Sequence, residues 1–130
     1  MAVPKTSLSA GMIIRAVLLE DEEVAARTNK IFPVVSDCAE LPYILYRRIS
    51  LSPNPQKSRL PGADEIQVEV NCFTERYGEG VELAEAVRAA LDQVSAEHDG
   101  LRMRSCYLFD SEEDQQDDAF IQRLVFSAKM

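Results

Sequence analysis

The sequence has a single histidine, only three cysteines, no cluster of lysine and arginine, and no apolar run near the length of a bilayer crossing. Each shortage excludes something. A span of the hydrocarbon core needs roughly 18 or more consecutive apolar residues, and the nearest approach here, Met12 to Leu19, is broken by Arg15 and runs into Glu20-Asp21-Glu22-Glu23. That stretch lacks the cleavage site of a secretory leader and reads as a helix. Without a basic cluster the chain cannot neutralise phosphates, which supply most of the affinity for nucleic acid and for anionic membranes. Direct binding to either is not expected. Three sparse cysteines fit a reducing compartment and hence a cytosolic origin.

What the chain has in excess is acid. It has 130 residues with 14 Lys+Arg against 22 Asp+Glu, a formal net charge of −8. Six acids, Asp110, Glu112, Glu113, Asp114, Asp117 and Asp118, stand in one nine-residue stretch that holds no base. Without them the net charge would be −8 + 6 = −2, so the acidity is local. At 46% hydrophobic and 28% charged the composition is globular, and the length suits one domain that can bury a core without disulfide or metal staples. The expected organisation is a single domain over 1–130, with a loose tail at 1–8 and the folded part at 9–128.

Hydrophobic periodicity sets out the elements. Ser9 can cap a helix carrying Met12, Ile13, Ala16 and Val17, and Asp21 can cap a short continuation through Val24. Ile31-Phe32 before Pro33 is a short extended piece. Tyr43 to Ile49 is rich in aromatic and β-branched residues and reads as a strand. Leu51 to Ala63 holds Pro53, Pro55 and Pro61 and reads as a long loop. Ile66 to Cys72 alternates strictly, as a half-buried strand does. A helix follows Gly78 and Gly80, with Val81, Ala84, Val87, Leu91 and Val94 on one stripe, and Gly100 ends that region. Leu101 to Phe109 and Ala119 to Ala128 read as strands joined by the acidic stretch as their turn. Two hairpins and two main helices point to an α+β fold, an antiparallel sheet of about four strands with the helices packed on one face.

Motifs that would carry chemistry are missing. His98 lies in Ser95-Ala96-Glu97-His98-Asp99-Gly100, read as a polar helix end, with no nucleophile or orienting acid in sight. Cys38, Cys72 and Cys106 are 34 residues apart twice, but nothing else recurs in that register. They form no close pair of the kind zinc requires. Cys72 and Cys106 fall in strands, where cysteine behaves as a small buried hydrophobe. A calcium loop begun at Asp110 would need glycine at its sixth position and glutamate at its twelfth, where Gln115 and Ile121 stand. Gly78-Glu79-Gly80 is too short for a phosphate cradle and reads as a tight turn before the helix. No catalytic residue, metal ligand or cofactor site is expected.

The order of small motifs is more informative than any single residue. An opening helix precedes Lys30-Ile31-Phe32-Pro33 and Leu41-Pro42-Tyr43-Ile44-Leu45-Tyr46. A proline-bearing loop leads to Ile66 through Phe73, then the helix Val81 to Leu91, an acidic turn, and Gln122-Arg123-Leu124-Val125-Phe126-Ser127. In this arrangement, from about residue 10 to 128, the chain resembles the tail-completion family of long-tailed phages and prophages, which includes tail-terminator-like proteins. The resemblance implies an α+β subunit without catalysis that assembles as a ring, a hexamer, where the tail tube meets the head. It also implies partners among tail-tube and head-completion proteins, and a location in the bacterial host cytoplasm during assembly and then in the virion tail.

Two candidate sites follow. A closed ring needs a heterologous interface, for which the 51–63 loop with Pro53, Lys57, Arg59 and Pro61 is a candidate. Repeated around a ring, the acidic turn at Asp110, Glu112, Glu113, Asp114, Asp117 and Asp118 would line a passage with negative charge, along which DNA slides. The competing reading is a small cytosolic adaptor or regulatory subunit that binds one protein partner through a sheet edge.

Overall fold

The computed structural model describes residue 3 and residues 5–35, 40–53 and 64–130. A 3-10 turn at Ser7–Ser9 leads into helix α1 (Ala10–Glu20) and the single-turn helix α2 (Glu22–Ala25). Strands β1 (Ile31–Pro33), β2 (Tyr43–Ser52) and β3 (Glu65–Thr74) come next, followed by helix α3 (Tyr77–Leu91) and strands β4 (Val94–His98), β5 (Leu101–Gln116) and β6 (Ala119–Lys129).

The strands form one six-stranded sheet in the order β1-β2-β3-β6-β5-β4. β1 runs parallel to β2, and every other neighbour is antiparallel. The sheet is mixed and curled into a half-barrel, not the four-stranded antiparallel sheet expected from the sequence. Three local readings account for the difference. Ile31-Phe32-Pro33 joins the sheet as its parallel edge strand. Val94 leaves the helical stripe because α3 stops at Leu91: Asp92 takes an extended conformation, and its Oδ1 accepts from Leu108 N at 2.9 Å. Finally, Asp99 and Gly100, at φ +52° and +84°, make a two-residue hairpin loop in which His98 pairs with Leu101. Asp-Gly with both φ positive suits the right-handed twist of a hairpin. His98 thus ends a strand, and the glycine turns a hairpin.

The core lies between the helices and one face of the sheet. Ile13, Ile14 and Leu18 of α1 and Leu83, Val87 and Leu91 of α3 are fully or almost fully buried against Ile66, Val68, Val70, Cys72 and Phe126. The alternation of β3 directs this, since Ile66, Val68, Val70, Cys72 and Thr74 share the helix-bearing face. Removing one such side chain costs roughly 2–5 kcal/mol. Two glycines let helices approach the sheet. A Cβ on Gly11 would sit 3.1 Å from Tyr46 Cε2, and one on Gly80 would sit 2.8 Å from Thr74 Oγ1. Gly80 is therefore a contact point inside the first turn of α3, and not part of a turn before it.

Capping agrees with the sequence at one helix and departs from it at another. Asp21 Oδ1 accepts from the main chain of Glu23 and Val24, both at 3.0 Å, and caps α2. Ser9 precedes α1 but makes no side-chain cap, whereas Thr6 caps the preceding 3-10 turn. Among the described residues no helix is long and apolar enough to cross a membrane.

Candidate functional site

Only the last two acids of the acidic stretch form the turn. Asp110 to Gln116 continue β5, paired residue by residue with Val125 to Ala119 of β6, and the chain reverses only at Asp117-Asp118, with Asp117 at φ +54°. Nothing in this polar run favours a strand by propensity, so the β6 ladder imposes it. Alternation then sorts the acids. Asp110, Glu112 and Asp114 stand on the sheet face without helices, Glu113 on the helix side, and Asp117 and Asp118 at the tip.

Cross-strand partners hold the stretch in place. Arg123 Nη1 donates to Glu112 Oε1 at 2.7 Å, and that hydrogen bond, with Glu69 nearby, pushes the guanidinium pKa up. Gln122 Nε2 and Tyr77 Oη each donate to Glu113 Oε2 at 2.9 Å. These two bonds hold the Glu113 carboxyl below the usual carboxylate range, and the same contact raises the Tyr77 phenol. Tyr77 also meets Phe120 edge-on at 6.0 Å between ring centroids. The start of α3 is thereby fixed to the acidic end of the hairpin.

On the bare face a chain of charge crosses four strands. Arg47 Nε on β2 lies 3.5 Å from Glu69 Oε1 on β3. Arg123 Nη2 on β6 lies 2.8 Å from Glu69 Oε2, and its Nη1 reaches Glu112 on β5. Glu69 is only 6% exposed, and Asn71 Nδ2 adds a bond to its Oε1 at 2.6 Å. Beyond this chain Tyr43 and Phe73 stack at 4.7 Å and 13° between planes. Their stack, Ile121 and the tip Gln116–Ala119 border an open groove of about 350 Å³. A second depression of about 410 Å³ runs beside α3 at Glu85, Arg88 and Asp92. Neither brings a nucleophile to a base.

The candidates named from sequence are distributed as follows. All six acids lie along β5 and its tip. Pro53 is an exposed residue just after β2, which continues through Leu51 and Ser52 into what had been read as loop. Lys57, Arg59 and Pro61 lie outside the described residues, as does Cys38. Cys72 and Cys106 are buried and free, with burial pushing each thiol up to about 12 and Asp92 adding to the effect at Cys106. Among the described residues no three His, Cys, Asp or Glu side chains are grouped to hold a metal ion. The sequence reading missed the Arg47–Glu69–Arg123–Glu112 chain. In the sequence Glu69 is one more polar residue of an alternating strand, like Gln67 and Asn71, and only the register brings Arg47 opposite it and Arg123 within reach.

Comparison with known proteins adds a family and a fold. Sequence comparison with curated proteins gives no match. A solved structure described as "Virion of native gene transfer agent (GTA) particle" contains a chain of the same fold, at a TM-score of 0.79 and 17% identity over 95% of this chain and 98% of that one. The family model of tail completion protein gp17 matches residues 12–129, nearly the whole sequence. On that match the chain belongs to the tail completion protein gp17 family, structural proteins of phage particles.

Proposed function

We propose that the chain is a non-enzymatic, single-domain subunit that assembles as a ring, a hexamer, at the junction of tail tube and head. The observation that carries the reading is the family match across residues 12–129. The two unlike edges of the sheet support it. β1 stands at one edge and β4 at the other, so adjacent copies meet through different surfaces, as a closed ring demands. The partners are tail-tube and head-completion proteins, met in the host cytoplasm during assembly and kept in the virion tail.

Asp110, Glu112 and Asp114 share the helix-free face, and Asp117 and Asp118 stand at its rim. Turned toward the lumen, this face repels the phosphate backbone and keeps DNA moving. The 51–63 segment with Pro53, Lys57, Arg59 and Pro61 supplies part of the contact between copies or with the tube.

Electron microscopy of the purified protein mixed with its cognate tail tubes tests the reading. The expected result is a ring capping one end of each tube. Tubes left bare, or a defined one-to-one complex with a different protein, would overturn it.

A further inference from the structure

The two edges of the sheet are each half covered, and the covered halves are complementary. At one edge β1 covers β2 only at Ile44, Leu45 and Tyr46, and among the described residues nothing pairs with β2 from Arg47 to Ser52 on that side. At the other edge β4 covers β5 only from Leu101 to Cys106. Following the register across the sheet, Ile31 shares a row with Ile44, Cys72, Gln122 and Glu113. Pro33 shares a row with Tyr46, Val70, Leu124 and Ser111. Among the described residues, the rows that β1 covers at one edge are thus the rows left open on β5 at the other. Val94 of β4 falls on the row of Leu51, where β1 is absent.

We propose that a second copy of this chain docks edge to edge, with its β1 seated in the step beside residues 109–114 of β5. This deepens the ring reading and rests on it. Rotation about a ring axis keeps the direction of strands that run along that axis, and β1, parallel to β2, is antiparallel to β5. In that register Lys30 of the incoming copy comes to Asp114, and Val34 and Val35 come to Asp110 and Phe109. Lys30 thus meets an opposite charge and Val35 meets an aromatic ring, while Val34 stands beside Asp110. Val34 and Val35 are 63% and 66% exposed, and Tyr107 and Phe109 are 46% and 57% exposed. Val35 and Phe109, which would meet, are two of the nine large apolar side chains exposed among the described residues.

The joint is made by side chains and not by a continued ladder. Pro33 has no N–H, and its carbonyl accepts from Val35 N at 2.6 Å. Arg15 Nε donates to the Ile31 carbonyl at 3.2 Å. On β5 the main-chain N–H of Ser111 is taken by Asp110 Oδ1 and that of Gln115 by Asp114 Oδ1, both at 2.8 Å. Both edges are blunted against indiscriminate strand pairing, so recognition falls to the Val35–Phe109 contact and the Lys30–Asp114 charge pair.

The test is a pair of cysteines, Val35→Cys with Phe109→Cys, in a full chain whose Cys38 is changed to serine. Both sites are exposed, so the fold is retained. Mild oxidation is expected to give a ladder of covalent oligomers on a non-reducing gel, and neither single variant gives one. Asp114→Lys and Lys30→Glu are each expected to lower the assembled fraction about tenfold, and the double reversal to recover it, since like charges across an interface are costly. Rings seen by microscopy without a ladder and without charge rescue would overturn this joint and leave the ring reading standing. Neither rings nor ladder, even with tail tubes present, would overturn both.

Discussion

Glu69 of β3 and Arg123 of β6 meet at 2.8 Å on the sheet face that carries no helix, the carboxylate almost wholly buried and the guanidinium about one-third exposed. A buried carboxylate is tolerated only when paired and hydrogen-bonded, and here Arg123, Arg47 and Asn71 share that duty. Arg123 also draws Glu112 into place. One residue of β6 therefore connects a buried acid to the acidic edge strand.

Removing Arg123 leaves Glu69 with its weaker, longer partner. Arg123→Ala is expected to lower stability by about 1–3 kcal/mol, and Arg47→Ala, at a half-exposed pair, by less than about 1 kcal/mol. Urea midpoints of the two variants check the order. Equal losses would show that Arg123 is not the main partner of the buried carboxylate.

Glu113 ties stability to pH in the acid range. Its folded carboxyl titrates below the ordinary value because Gln122 and Tyr77 donate to it. The contribution is therefore fully present above the unfolded pKa and is lost as pH falls through the folded one. The carboxylate is exposed, so the effect is small. Side-chain NMR titration is expected to place Glu113 below the other surface glutamates. Gln122→Leu with Tyr77→Phe is expected to return it to the ordinary range.

The thiols of Cys72 and Cys106, pushed up to about 12 by burial, carry almost no thiolate at pH 8. In a Cys38→Ser background the folded protein is expected to resist a thiol reagent and to react at two sites once denatured. Mass spectrometry of labelled native protein checks this, and rapid labelling of either site would contradict the buried placement.

Two glycines differ in what alanine would do. At Gly100, φ +84° with open space around the Cβ position, alanine is expected to cost about 1–2 kcal/mol through backbone strain. At Gly80 the backbone is helical, and the cost comes from the 2.8 Å contact with Thr74 Oγ1. Gly80→Ala with Thr74→Ala is expected to recover most of the loss of Gly80→Ala alone. A thermal-melt series measures both.

The helices α1 and α3 and the strands β2, β3 and β6 were legible because their apolar spacing repeats at 3.6 or at 2 and matches the face they bury. The edges were not. Val94 continues the stripe of α3 by spacing, and only the docking of Asp92 against Leu108 and the Asp99-Gly100 hairpin turn that segment into β4. Asp-Gly was itself a hairpin signal, overlooked beside a plausible helix end. Ile31 to Pro33 is too short to reveal its partner, because parallel pairing joins residues that no local pattern links.

The acidic stretch divides the two sources of information most clearly. Sequence by itself determined that six acids stand together without a base, and which family its motif order resembles. Those are properties of composition and order, and folding does not change them. Only the tertiary structure decided that four of those acids extend the fifth strand of a sheet and two turn its tip, with no strand beside them on the outer edge among the described residues. Strand pairing is a long-range choice: the ladder of β6 and the bonds from Arg123, Gln122 and Tyr77 outweigh a local composition that favours a turn.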